Sequence, residues 1–260
     1  MRMIDTGGPA LHCRDDGAGR AILFCNALGT DLRLWDAIVP RLPAGWRAIR
    51  FDTRGHGLSD APPPPYGMGA LVRDAERVLE ALEVASAVVV GCSLGGMVAQ
   101  GLAVKRPDLV RALVLSNTAA RIGTAGMWHE RIVAVQAGGV AALAEATLAR
   151  WFPPAFHATP QIAAWRNMLV RTPAGGYIGC AAAIAGTDFY TPLSGLTLPV
   201  LAIAGSADGS TPPDLVRETA ALVAGARFEL IRGAGHLPMV DRPEAYAAVL
   251  NPFLDSLPEG

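Results

Sequence analysis

Ser93 stands at the centre of Gly91-Cys92-Ser93-Leu94-Gly95, between a β-rich apolar run (Ala87–Gly91) and an apolar stretch of helical pattern (Leu94–Arg106). A serine at a sharp strand-to-helix turn is placed to attack. The turn lifts the hydroxyl off the sheet edge, and the glycines permit close backbone approach. The free N–H groups of the helix's first turn favour negative charge. In a chain with 29 glycines the motif could arise by chance, so its weight comes from the strand before it and the helix after it. Serine is a weak nucleophile that needs a base, and the base needs an orienting acid. The histidines are His12, His56, His129, His157 and His236. With the chain order Ser…Asp…His, the base is His236, in the glycine-rich loop "GAGHLPMV" after the last strand-like run. The acid is Asp208, in the turn "GSADGSTPPD" that leaves the preceding strand. After "RALVLS" the corresponding position holds Asn117, which is no acid, while Asp214 suits a helix start and Asp188 falls outside the strand ends. An oxyanion hole requires two N–H groups: that of Leu94, after the nucleophile, and that of Ala27, in the loop after "AILFCN".

The other titratable residues have plainer readings. His56 lies in "FDTRGHGLSD" and reads as structural, with Asp52 and Arg54 pairing to hold that loop. His12 reads as a strand residue ahead of the core.

Positioning such a set takes a sheet with loops at one edge. Ala21–Asn26, Arg47–Asp52, Ala87–Gly91, Arg111–Ser116, Pro199–Gly205 and Arg227–Ile231 read as strands, several of them apolar throughout, as in a parallel sheet covered on both faces. Asp31–Leu42, Met68–Leu82, Leu94–Arg106, Pro212–Val223 and Pro243–Leu257 carry helical patterns. Thr211 is expected to cap the fourth of these, with proline in the first turn and Asp214 complementing the dipole. The alternation implies a doubly wound, mostly parallel α/β fold. It breaks between residues 121 and 190, an alanine-rich stretch with Trp128, Trp151, Trp165 and several prolines. This reads as short helices inserted into the fold. The expected organisation is a core of residues 1–120 and 191–260 with a helical cap of residues 121–190.

Composition narrows the function classes. With 260 residues and 51% hydrophobic content the chain can bury one sizeable core. A net charge of −1 gives no field that would favour nucleic acid or an anionic membrane. Cys13, Cys25, Cys92 and Cys180 form no CxxC pair and read as free thiols in a reducing compartment. The N-terminal stretch lacks the apolar core of a signal peptide. Val84–Val104 carries no charge, but its glycines, serines and Gln100 suit a buried strand and helix better than a membrane span. A soluble, cytoplasmic protein is expected.

The motifs "FDTRGHGLSD", "GCSLGGMVAQ", "GSADGSTPPD" and "GAGHLPMVDRPEAY" resemble those of the α/β-hydrolases from end to end. Within that superfamily, "CNALGTDLRLWD", "LVLSNTAARIGTAGMWHERI" and "YIGCAAAIAGTDFYTP" resemble the 3-oxoadipate enol-lactonases of the β-ketoadipate pathway, in the inserted segment as well as the core. One departure is that Cys25 and Asn26 occupy the places where many α/β-hydrolases have His-Gly. The resemblance implies hydrolysis of 3-oxoadipate enol-lactone through an acyl-serine, with no metal or organic cofactor. The implied partner is a small anionic lactone, with neither nucleic acid nor membrane; oligomeric state stays open. The acetate side chain of such a substrate calls for a cation, preferably arginine. Of Arg121, Arg131, Arg150, Arg166 and Arg171, Arg131 is the favoured anchor because it follows Trp128 and His129; Trp128 and Trp151 are candidate pocket walls. Competing readings are a carboxylesterase or a carbon–carbon bond hydrolase acting on a related ring-cleavage product. A ligand receptor built on a hydrolase scaffold is a third.

Overall fold

The computed structural model describes residues 2–258. Among them eight strands form one sheet: β1 (Arg2–Asp5), β2 (Ala10–Asp16), β3 (Arg20–Cys25), β4 (Trp46–Phe51), β5 (Ala87–Cys92), β6 (Val110–Ser116), β7 (Val200–Gly205) and β8 (Arg227–Ile231). Their order is β1-β2-β4-β3-β5-β6-β7-β8. β1 and β2 pair antiparallel, as do β2 and β4; every other neighbouring pair is parallel. β5 and β7 are buried along their whole length, which explains their unbroken apolar sequences. The chain leaves β3 for β4 on one side and returns across it to β5 on the other. Such a reversal opens a crevice at the carboxyl ends of the two strands, where ligands bind in doubly wound folds. The loops after β3 and β5 carry Ala27 and Ser93 into that crevice, with Cys25 and Gly91 in register.

The helices of the core are α1 (Met68–Ala81) and α2 (Leu94–Lys105). Between β6 and β7 come α3 (Ala125–Gly138), α4 (Ala144–Trp151), α5 (Pro154–His157), α6 (Ile162–Val170), α7 (Ala174–Ala185) and α8 (Tyr190–Leu193). The chain then forms α9 (Pro213–Ala221), α10 (Pro238–Asp241) and α11 (Pro243–Asp255). Leu94 to Ala103 of α2 are all buried, so this helix needs no polar face. The uncharged stretch Val84–Val104 therefore resolves into β5 and α2, and no helix among the described residues is long and apolar enough to cross a membrane. The four cysteines are unpaired and buried.

Two local expectations fail for physical reasons, and one strand goes beyond what was expected. The helical pattern at Asp31–Leu42 folds instead as two 3-10 turns, Leu32–Trp35 and Val39–Arg41. Pro40 has no N–H to continue an α-helix, and the Asp31 carboxylate accepts from the Arg33 N–H and fixes the first turn. Thr211 does not cap α9: its hydroxyl donates to Asp208, and Pro212 holds the cap position. The amino-terminal edge strand β1 was not legible, being four residues long and mostly exposed.

The helical insert reaches the sheet end through its backbone. The Gly209 N–H donates to the Arg150 carbonyl (3.2 Å) and the His236 N–H to the Trp151 carbonyl (2.8 Å). The end of α4 is thus tied to the loops after β7 and β8.

Candidate active site

Ser93 occupies the turn between β5 and α2 with φ +54° and ψ −117°. A non-glycine residue held there costs of order 1–3 kcal/mol and persists only where its surroundings enforce it. Here the Ser93 N–H donates to the Ser116 carbonyl (3.1 Å). Its own carbonyl accepts from the Met97 N–H (3.1 Å) and the Thr118 hydroxyl (2.7 Å). The flanking glycines answer to space. A Cβ on Gly91 would overlap the Gly95 carbonyl, and one on Gly95 would overlap the Cys25 carbonyl. The second clash shows how closely α2 approaches the loop after β3.

The His236 ring reaches Asp208 through Nδ1, 2.9 Å from Oδ2, with both side chains buried. That bond commits Nδ1 and leaves Nε2 as the basic nitrogen. Four further hydrogen bonds fix the acid. Asn117 Nδ2 (2.8 Å) and the Thr211 hydroxyl (2.7 Å) donate to Oδ2; the N–H groups of Ser210 (2.7 Å) and Thr211 (3.1 Å) donate to Oδ1. Burial alone pushes this carboxyl up. The facing His236 and the hydrogen bonds from His236, Asn117 and Ser210 outweigh it and hold Asp208 below the usual carboxylate range. Asn117, passed over in the sequence because it is not an acid, supports the acid from the end of β6. It does so with φ +46°, a conformation asparagine tolerates.

Ala27 lies two residues past the end of β3 and Leu94 opens α2, and neither N–H donates to a protein acceptor among the described residues. The loop carrying Ala27 is braced from behind. Asn26 Nδ2 donates to the Phe51 carbonyl (2.7 Å), and Asn26 Oδ1 accepts from the Trp35 indole (2.9 Å). Asparagine at this departure from the common pattern is therefore a buried strut.

Ser93 and His236 line a cavity of about 360 Å³ whose roof comes from α3, α4 and α7. Trp128, Trp151 and Leu28 give it an apolar wall. The Trp128 indole N–H is spent on the Ile122 carbonyl (2.6 Å), so the ring offers only its surface. Arg131 and Arg150 both enter this cavity. Arg131 Nη2 donates to the Tyr177 hydroxyl (2.7 Å) and to Thr147 Oγ1 (3.2 Å), and its guanidinium lies 5.4 Å from the Trp128 ring centre. Arg150 Nη2 also donates to Thr147 Oγ1, at 3.4 Å. Neither pairs with a carboxylate among the described residues, although Glu130 reaches the same cavity. Burial, then the neighbouring Arg131 charge, pushes Arg150 below its ordinary value. Arg121 and Arg166 are by contrast engaged on the surface, with Asp188 (3.9 Å) and Glu145 (2.8 Å), and Arg171 lies in a different cavity. Thr147 and Tyr177 were missed in the sequence, where nothing distinguishes them from helix packing, and Arg150 was weighed there but ranked behind Arg131. No cluster of three or more metal-ligating side chains occurs among the described residues.

The loop after β4 is wired differently from expectation. Asp52 pairs with His12, not Arg54: His12 Nδ1 lies 2.8 Å from Asp52 Oδ2. Arg54 makes a two-pronged contact with Asp74 on α1 (2.6 Å each). His56 accepts at Nε2 from the Gly29 N–H (3.0 Å), so it props the loop that carries Ala27.

A model of the alpha/beta hydrolase family matches residues 22–249. The chain is 34% identical over 239 residues to a 3-oxoadipate enol-lactonase of Acinetobacter baylyi, covering 91% of this chain and 89% of that protein. The solved enol-lactonase of Burkholderia xenovorans superposes with a TM-score of 0.95 at 34% identity, over 98% of this chain and 100% of that one. A solved hydrolase from Pseudomonas aeruginosa gives 0.94 at 39% identity, over 98% of both chains.

Proposed function

The chain belongs to the alpha/beta hydrolase family, and from that premise we propose that it hydrolyses 3-oxoadipate enol-lactone to 3-oxoadipate through an acyl-serine on Ser93. His236 Nε2 takes the proton of the Ser93 hydroxyl as Oγ attacks the ring carbonyl. Asp208 stays ionised, holds the imidazole in the Nδ1–H tautomer and stabilises the imidazolium. The carbonyl oxygen becomes an oxyanion and receives the N–H groups of Ala27 and Leu94. Such a donor is worth about 3–4 kcal/mol of barrier stabilisation. Collapse breaks the ring C–O bond and releases an enolate. The enolate is a better leaving group than an alkoxide, and it ends as a ketone after protonation. A water, deprotonated by His236, then attacks the acyl-serine; Ser93 regains its proton, and the lactone carbonyl leaves as a second carboxylate.

The substrate assignment is carried by the two guanidiniums. Arg131 and Arg150 share a largely apolar cavity with Ser93 and His236 and, with Glu130 at the same cavity, make no ion pair among the described residues, which suits a small ester bearing its own anion. Likeness to enol-lactonases along the inserted helices as well as the core supports the same reading.

The deciding experiment is steady-state hydrolysis of freshly generated 3-oxoadipate enol-lactone beside a neutral aryl ester, with wild type and Ser93→Ala. Preference for the lactone by orders of magnitude in kcat/KM, abolished in Ser93→Ala, is the expected result. Cleavage of the aryl ester through Ser93 with the lactone untouched would keep the nucleophile and refute the substrate.

A further inference from the structure

A second cavity, of about 730 Å³, lies apart from Ser93 and His236. Its floor is β2 with the loops after β3 and β4, and its roof is α6 with the turn that follows. The side chain at its floor is His12, 6% exposed. His12 Nδ1 is held by Asp52, whose carboxylate also accepts from the N–H groups of Leu32 and Leu58, each at 2.8 Å. An acceptor so placed fixes the proton of a neutral ring on Nδ1. Nε2 is then a lone pair, and it meets no partner among the described residues although the ring lines the cavity. An acceptor open to a cavity and unmatched by the protein can take a donor from outside.

The rest of the wall specifies what else that donor should carry. Arg33 is neutralised by Asp31. Arg14 has only a 3.5 Å contact with Asp16, and the Arg171 guanidinium makes no ion pair among the described residues. The apolar wall is Leu32, Leu58, Ala164 and Met168, with no aromatic side chain. Leu58 is 59% exposed and presents its side chain to the cavity. The first cavity, by contrast, is walled by Trp128, Trp151 and Tyr177.

The geometry points to a second ligand site here, for a small aliphatic hydroxy acid. Its hydroxyl donates to His12 Nε2, its carboxylate meets Arg171 with Arg14, and its chain lies against Leu58 and Met168. The site also joins the two layers. His12, Asp52 and the Thr30–Arg33 loop belong to the core, whereas Asn167, Met168 and Arg171 belong to the helical insert.

The test is calorimetric titration of the full chain with 6-hydroxyhexanoate, with hexanoate as the control that lacks the hydroxyl. Saturable binding is expected, weakened about tenfold or more by Arg171→Ala, since a charge-assisted hydrogen bond is of that order. Hexanoate should bind several-fold more weakly than the hydroxy acid, and His12→Phe should erase that difference. Arg131→Ala should leave binding unchanged. No saturable binding at millimolar concentration overturns the site. So does loss of binding in Arg131→Ala with Arg171→Ala intact, which would put the ligand in the first cavity. Equal affinity for hexanoate overturns the role of His12. Arg171→Ala and the hexanoate control decide the matter even if His12→Phe does not fold.

Discussion

The chain holds two buried His–Asp pairs of nearly the same length, His236–Asp208 at 2.9 Å and His12–Asp52 at 2.8 Å. In both, Nδ1 faces the carboxylate and Nε2 is left over. The surroundings separate them. Asp208 sits in a web of hydrogen bonds that outweighs its burial and holds its carboxyl low, and its histidine shares a cavity with Ser93. Asp52 is pushed up by burial, only partly offset by the Leu58 and Leu32 N–H groups and by His12. The wall of its cavity contains no serine or cysteine among the described residues. A His–Asp pair is thus no signature of catalysis by itself. The serine that shares a cavity with His236, and the side-chain donors that Asn117 and Thr211 add around Asp208, make the difference.

The largest effect should come from exchanging each acid for its amide. Asp208→Asn is expected to lower kcat on the lactone by about 10⁴, the scale seen when a triad acid can no longer hold its histidine's tautomer. Asp52→Asn should leave kcat within about threefold and lower the urea midpoint instead, because a buried hydrogen-bonded group is lost far from the nucleophile. Equal losses of activity in the two variants would mean that the second pair takes part in the reaction.

A third buried histidine sharpens the contrast through pH. His56 is driven down by burial to about 4, and it accepts from the Gly29 N–H. In the unfolded chain a histidine titrates near 6.5. Between those values the unfolded chain binds the extra proton, so stability falls as pH drops below about 6.5, with the loss complete near 4. The total is about 3 kcal/mol. Urea unfolding at pH 7, 5.5 and 4.5 should show this slope in wild type and a shallower one in His56→Gln. An unchanged slope would move the acid sensitivity to another group.

The roof of the cavity should answer in KM. Arg131→Ala and Arg150→Ala are each expected to raise KM for the lactone by about tenfold to a hundredfold, the range of one charge-assisted hydrogen bond. Hydrolysis of a neutral aryl ester should change little. If both substrates suffer alike, the guanidiniums position the insert and do not read the anion.

The uneven legibility of these parts has a physical basis. Ser93, Asp208 and His236 could be picked out because strand ends fix where a loop residue can go, and chain order restricts which loop supplies which role. Their supports could not. Asn117 and Thr211 act through side-chain hydrogen bonds to Asp208 across the sheet end, and Thr211 looked like a helix cap because the same Thr-Pro-Pro-Asp pattern serves either use. The wiring of Asp52 was misread for a related reason. Arg54 is its neighbour in sequence but reaches α1, while His12 comes to it from β2, whose place beside β4 depends on the sheet order. Arg150 was hidden among five arginines of the insert until packing showed which of them lack a counter-charge.

The smallest effect belongs to one of those supports, and it tests the web around Asp208 most directly. Thr211→Val removes a hydroxyl and keeps the shape. The lost bond, 2.7 Å to Asp208 Oδ2, is one of five on that carboxylate. A hydrogen bond to a charged group contributes about 1.5–3 kcal/mol net, but Asp208 is charged in ground and transition states alike and keeps four donors, so only part of this reaches the barrier and kcat should fall by only about fivefold. The carboxyl should also titrate higher, since one donor that favours its charged form is gone. An NMR titration of the Asp208 side-chain carboxyl should then show its midpoint at higher pH in Thr211→Val. A change in kcat with that midpoint unmoved would mean that the hydroxyl serves the His236 ring, whose Nδ1 lies 3.3 Å away, more than it serves the charge on Asp208.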